Sequence, residues 1–272
     1  MEKEPKLILE KFENEQETIQ DEFSRHVSDE NARFIEQVEF YGQPGATAFS
    51  EWFGTHILKN YPPEFRSNFN FENVKLHKDG ELFKKLIENK NFIDLGCGHP
   101  GLSKAPRTVA RALGAKKYIG VDQSKDTLYQ FFIDNKKEKE LIDITDKQGK
   151  YVLQDKLGPM IIEKEDGFES MWIQDDMLGF VSKIKEADGV VFFLAGIQEY
   201  GMEEESRQAS SKYFDALGQE LGRITHKGDA IIFSGNVQPI GYEKILEYGF
   251  RRLTSEESEG YDLTGLVVFI RE

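Results

Sequence analysis

The stretch Asn91–Gly101, NFIDLGCGHPG, constrains this chain more than any other. Phe92, Ile93 and Leu95 make the short apolar run that a buried strand needs. Gly96, Cys97 and Gly98 then turn the chain, and residues Ser103 to Leu113 predict a helix. Strand, glycine turn and helix, in that order, bring backbone N–H groups and a helix N-terminus up to a polar ligand. A turn without Cβ atoms reverses sharply and lets a ligand approach the backbone closely. Gly96-Cys97-Gly98-His99-Pro100-Gly101 also fits G-x-G-x-x-G, which by itself suits a dinucleotide enzyme.

Two acids change that reading. Asp94 sits two residues before the first glycine, and Asp122 ends the next apolar run, Tyr118-Ile119-Gly120-Val121. An acid at the second place can accept both hydroxyls of a ribose. An acid inside the glycine turn would repel a pyrophosphate at short range, and suits instead a ligand with an ammonium group and no phosphate.

At these residues the chain resembles the class I S-adenosylmethionine-dependent methyltransferases. Their first motif is an acid, any residue, then alternating glycines, and Asp94-Leu95-Gly96-Cys97-Gly98 matches it. The family's third glycine falls at Pro100, with Gly101 one place later. The resemblance spans roughly Asn91 to Glu272. It implies S-adenosyl-L-methionine as cofactor, held around Asp94, Gly96, Cys97, Gly98, Asp122 and Gln123, with Ala195 at the end of a central strand beside it. It also implies an acid after the third strand for the adenine amino group. Asp176 followed by Met177 fits that place better than Asp175, while a plain alternative has both acids capping the next helix.

The fold expected is α/β: a doubly wound, mostly parallel sheet of seven strands with an antiparallel C-terminal hairpin and an N-terminal helical appendage. Residues 1–64 are read as the appendage and 65–272 as the core. Leu9, Phe12, Ile19 and Phe23 share one helical face in the appendage. The aromatic segment Phe49, Trp52, Phe53 and Ile57 suggests either a lid over a substrate or packing onto the core. His56 lies in it, read as a surface or packing histidine rather than a base. Tyr151–Leu153 and Met160–Ile162 flank Gly158-Pro159, which suggests an inserted hairpin within 141–169. Met171–Ile173 reads as the third strand. Gly189–Ala195, GVVFFLA, apolar on both faces, reads as a central parallel strand. Ligands of open parallel sheets sit outside the carboxyl ends of the strands, so Glu199 and Tyr200 are the polar candidates for touching the acceptor.

A net charge of −14 and no evident basic face argue against a nucleic-acid partner. Small neutral or cationic acceptors suit that charge. The one cysteine among the 272 residues, Cys97, lies in the turn, where a small packed residue fits. A single cysteine suits a reducing compartment. The start carries no secretory signal pattern, and no apolar run approaches membrane-spanning length, so the expected location is the cytoplasm, away from membranes. No metal-ligand pattern stands out. The N-P-P-aromatic motif of amino-group methylation is missing after the fourth strand, so nucleobase and glutamine amino groups are not the expected acceptors. The activity expected is methyl transfer to O or N of a small molecule, or of a protein side chain. A nicotinamide-dependent oxidoreductase and a non-catalytic cofactor- or partner-binding relative are the competing readings. The sequence leaves the oligomeric state open.

Overall fold

Short apolar strands alternating with one-sided helices build a single mixed sheet. A computed structural model describes residues 53–61, 69–97, 104–122, 160–187, 189–195, 204–234, 242–261, 263 and 266–272. In chain order these form α1 (Lys78–Ile87), β1 (Asn91–Leu95), α2 (Lys104–Ala112), β2 (Lys117–Asp122), β3 (Met160–Glu165), β4 (Phe168–Gln174), α3 (Met177–Lys183), β5 (Val190–Ala195), α4 (Glu204–Ile224), β6 (Ala230–Ser234), a 3-10 turn (Tyr242–Tyr248), β7 (Phe250–Arg252) and β8 (Leu266–Arg271). The strands lie side by side as β3-β4-β2-β1-β5-β6-β8-β7. The five from β4 to β6 are parallel, and β3, β8 and β7 each pair antiparallel with a neighbour. The chain winds outward from β1 through β2 to β4, then returns to β5 on the other side. The direction therefore switches between β1 and β5, where a doubly wound sheet opens a crevice at its carboxyl edge.

Both faces of the sheet are covered. On one, Phe83 and Ile87 of α1 and Val109, Ala110 and Leu113 in and just after α2 pack against Phe92, Tyr118, Trp172 and Phe193. On the other, Leu178 and Val181 of α3 and Phe214, Leu217 and Leu221 of α4 pack against Ile93, Ile119, Phe192 and Ile231. The four-residue recurrence of Tyr213, Leu217 and Leu221 puts one stripe of α4 on the sheet. Its glycines at 218 and 222 admit the 3-10 turn: a Cβ on Gly222 would stand 2.8 Å from the carbonyl oxygen of Tyr248.

The amino-terminal ends of the strands are tied by one buried acid. Asp229 Oδ1 accepts from the backbone N–H of Val190 at 2.8 Å, and Oδ2 accepts from His226 N–H at 2.9 Å. Lys90, just before β1, pairs with the same carboxylate at 3.9 Å and donates to the Gly228 carbonyl. Burial pulls the Lys90 ammonium below its usual range, opposed by the Asp229 charge. The backbone of Arg271 in β8 donates to the Asp229 carbonyl at 2.8 Å. β1, β5, β6 and β8 thus share one anchor opposite the crevice.

Two sequence expectations need correction. The sheet has eight strands rather than seven, because Met160–Glu165, whose first residues the sequence reads as a strand of an inserted hairpin, pairs with β4 and extends its edge. The turn that forms is Asp166-Gly167, with φ of +47° and +82°, the two-residue geometry that aspartate and glycine favour. Gly158-Pro159 and Tyr151–Leu153 lie outside the described residues, and the third parallel strand starts at Phe168 rather than Met171. The hairpin is held to α2 by Arg107, which donates to Ser170 Oγ at 2.8 Å, and by Arg111, paired with Asp166 at 2.9 Å.

For the aromatic segment the sequence offered a lid or packing onto the core. Phe53, Ile57, Leu58 and Tyr61 are buried in the same cluster as Phe92 and Phe193, so the packing alternative describes residues 53–61. The Phe53 ring lies 4.6 Å from that of Phe193 and 6.1 Å, edge-on, from that of Phe83. Gly80 of α1 lets the segment close in, since a Cβ there would meet the Ile57 carbonyl oxygen at 2.5 Å. The expected helices and lid within residues 1–52 lie outside the described residues. We expect Phe53→Ala to cost about 3–5 kcal/mol of folding stability, as for a phenylalanine taken from a packed core. A urea midpoint unchanged from wild type would refute a packing role for this ring.

Candidate functional site

Asp94, Gly96, Cys97, Asp122, Asp176, Met177 and Ala195 gather at the carboxyl ends of β1, β2, β4 and β5. Ala195 ends β5 itself, beside the β1–β5 switch. Gly98, Gln123, Glu199 and Tyr200 lie outside the described residues. The strand ends are stitched together through the backbone. Gly96, with φ of +78°, and Cys97 both donate to the Val121 carbonyl, at 2.8 and 3.1 Å. Asp175 N–H donates to the Asp122 carbonyl at 3.0 Å.

Register places Asp94 within an apolar row. Trp172, Gly120, Asp94, Phe193 and Ile232 are successive neighbours across β4, β2, β1, β5 and β6. Trp172, Phe193 and Ile232 are buried in one cluster, and Asp94 is 1 % exposed. Oδ2 accepts a 2.6 Å hydrogen bond from the Tyr118 hydroxyl. Oδ1 is buried with no hydrogen-bond partner among the described residues. Burial pushes the carboxyl from 3.8 up to about 7, with the Tyr118 hydrogen bond pulling it back and the Asp122 charge adding to the rise. A buried acid missing one partner carries the desolvation cost of that oxygen, and a cation brought to it would relieve that cost.

Gly120 makes the arrangement possible. A Cβ at that position would stand 2.9 Å from Cys97 Sγ, 3.0 Å from Trp172 Cδ1 and 3.2 Å from Tyr118 Cε1. Three side chains converge over the missing one, and the phenol crosses that gap to reach β1. Neither Gly120 nor Tyr118 stood out in the sequence as a site residue. The usable signal was a glycine inside a strand, which marks close approach of other groups. Cys97 has the packed role read for it, since it is buried and burial holds its thiol well above its usual range, with Asp94 and Asp122 adding. That excludes a ready thiolate nucleophile.

After β4 the two acids are already engaged. Asp176 is the N-cap of α3, and its oxygens accept from Gly179 N–H at 3.0 Å and from the Tyr213 hydroxyl at 3.4 Å. Its pKa is raised by burial, against the pull of the capping hydrogen bonds. Asp175 pairs with Lys183 at 2.6 Å and accepts from Asp176 N–H at 3.1 Å. The capping alternative thus describes Asp176, as a buried rather than an exposed acid. His56 pairs with Asp79 at the start of α1, 3.2 Å apart. Among the described residues no group of three His, Cys, Asp or Glu side chains is arranged for a metal ion, and no helix is long and apolar enough to cross a membrane.

Asp94 titrates in the folded protein near pH 7 and in the unfolded chain near 3.8. Between those values the folded state keeps a proton that the unfolded chain has lost. Its stabilising contribution is therefore full below about pH 4 and is lost as pH rises through 7. Asparagine does not titrate. Asp94→Asn should gain stability over wild type across this window, by up to about 4 kcal/mol at pH 8. Urea unfolding of both proteins from pH 4 to 8 checks this; a difference that stays constant with pH would refute it.

No family model matches the sequence, and no curated protein matches it. Among solved structures the chain is similar to a TehB-like methyltransferase from Corynebacterium glutamicum, at 14% identity over 71% of this chain and 86% of that one, with a TM-score of 0.37. It is similar to the antibiotic-resistance methyltransferase Kmr at 12% identity over 73% and 95%, with a TM-score of 0.38. It is also similar to human N-acetylserotonin methyltransferase, solved with S-adenosylmethionine, at 14% over 70% and 50%, with a TM-score of 0.38. Overlaps this loose say nothing of what the chain does; its α/β sheet, doubly wound with an antiparallel C-terminal hairpin, stands on its own strand order.

Proposed function

We propose that the chain is an S-adenosyl-L-methionine-dependent methyltransferase acting on an oxygen or nitrogen of a small molecule. The observation that carries this reading is Asp94 Oδ1, a buried carboxylate oxygen with no partner among the described residues, beside a glycine turn at the carboxyl end of β1. A ligand ammonium satisfies that oxygen directly or through one water. A dinucleotide pyrophosphate brought to the same turn meets a carboxylate, so the oxidoreductase reading loses support.

Each chain segment has a task in this reading. Gly96 and Cys97 hold the turn against β2, which keeps the backbone close to the ligand. Asp122 ends β2 and accepts the ribose hydroxyls. Asp176 is occupied as a cap, so in this reading its part at the adenine end is to fix the start of α3, and Met177, the apolar residue that follows it, is proposed to pack beside the ring. S-adenosylmethionine, when bound, supplies a methyl group activated by its sulfonium charge. The chain's remaining work is to align the acceptor with that methyl and to exclude water. Glu199 and Tyr200, just beyond β5, are the groups proposed to orient the acceptor. The acidity of the chain favours neutral or cationic acceptors.

Calorimetry should show S-adenosylhomocysteine binding to the wild-type protein and no binding of NAD. Asp122→Ala should weaken S-adenosylhomocysteine by about 2–4 kcal/mol, the scale of lost charged hydrogen bonds. NAD binding with no S-adenosylhomocysteine binding would replace this function with the oxidoreductase reading. Turnover on a panel of small hydroxyl and amine acceptors separates an enzyme from a non-catalytic binder.

A further inference from the structure

Tyr118 is fully buried and its ring is held on both sides. It stacks on Phe92, with centroids 6.1 Å apart and planes 19° apart, and lies 6.0 Å from the Trp172 ring. A phenylalanine would fill the same volume. The hydroxyl adds a buried polar group at the bottom of a ligand crevice, and its hydrogen bond goes to Asp94 Oδ2 at 2.6 Å. With Oδ2 taken, Oδ1 is the oxygen left without a partner.

We propose that Tyr118 is a positioning residue that makes the site selective for a ligand bearing an ammonium headgroup: its hydroxyl fixes the Asp94 carboxylate and leaves Oδ1 as the atom that pairs with the cation. This rests on the methyltransferase reading, in which the methionine portion of the cofactor carries that ammonium. The physical content is a matter of charge. A hydrogen bond donated to a carboxylate favours its ionised form. Remove it, and burial together with the Asp122 charge keeps Asp94 protonated to higher pH. A neutral acid cannot form the ion pair. Among the described residues the other ionisable groups around this face, Asp122 apart, are otherwise engaged or neutral. The Cys97 thiol stays protonated. Arg107 on α2 is bonded to Ser170 and Glu165, and His56 is paired with Asp79 of α1.

The test uses the full chain, Tyr118→Phe, Asp94→Asn and the double variant, with calorimetry from pH 6 to 8.5. Two probes differ only in the headgroup: S-adenosylhomocysteine carries the ammonium, and 5′-methylthioadenosine lacks the amino-acid portion. Wild type should bind S-adenosylhomocysteine more tightly as pH rises through about 7, and 5′-methylthioadenosine equally at every pH. Tyr118→Phe should lose tenfold or more in S-adenosylhomocysteine affinity at pH 7, with the rise displaced to higher pH and 5′-methylthioadenosine unaffected. Asp94→Asn should bind S-adenosylhomocysteine weakly and without pH dependence, and adding Tyr118→Phe to it should change nothing further. Wild-type affinity and pH profile in Tyr118→Phe would overturn the assignment while leaving the proposed function standing. Equal loss of both probes would also overturn it, as the mark of a packing role. If wild type binds neither probe, the methyltransferase reading itself fails, and this assignment with it.

Discussion

A carboxylate set among aromatic and aliphatic side chains is the constraint around which this protein is arranged. Asp94 stands in the middle of a five-strand row whose other described members are Trp172, Gly120, Phe193 and Ile232. It is buried, and one phenol answers one of its oxygens. Such a group raises the free energy of the folded state near neutral pH, and folds retain it where a ligand will use the charge. Its neighbours follow from that. Gly120 must lack a side chain so that the phenol can cross, and Cys97 must be small because it occupies the same gap.

The opposite edge of the sheet has the reverse character. Asp229 is as buried as Asp94, yet both its oxygens accept backbone N–H groups and Lys90 lies beside it. A buried charge with all its hydrogen bonds made stiffens what it touches; one with a bond missing carries the desolvation cost of the unanswered oxygen. The strands are therefore fixed at their amino ends by a satisfied acid and presented at their carboxyl ends around an unsatisfied one. Asp176 belongs to the first kind, because it closes a helix terminus that would otherwise leave N–H groups without acceptors.

Local patterns carried much of this far. The apolar run before Gly96, the doubly apolar β5 and the run ending at Asp122 are each short enough to be read from neighbouring residues, and their strands appear where expected. The C-terminal hairpin was readable for the same reason. The edge strand β3 is legible at Met160–Ile162, but its pairing with β4 is not, because Glu169 and Ser170 interrupt the apolar pattern of β4 and hide the Asp166-Gly167 turn just before it. Ser170 is buried, but its polarity is answered by Arg107 from a helix that no local window includes. In the sequence Phe53 and Ile57 stand between a lid and core packing, since nothing local tells an aromatic residue facing a substrate from one facing Phe193.

The sequence by itself determined the strand–turn–helix unit, the alternation that makes a parallel sheet, and which acids end which strands, because these depend on residues close together in the chain. Only the tertiary structure decided what those acids do. That one Asp94 oxygen lacks a partner among the described residues, that Tyr118 reaches the other across Gly120, and that Asp176 is occupied by a helix end all follow from strand register and helix packing. Hydrogen-bond satisfaction depends on atoms brought from distant positions, and no residue type announces whether its partner will be there.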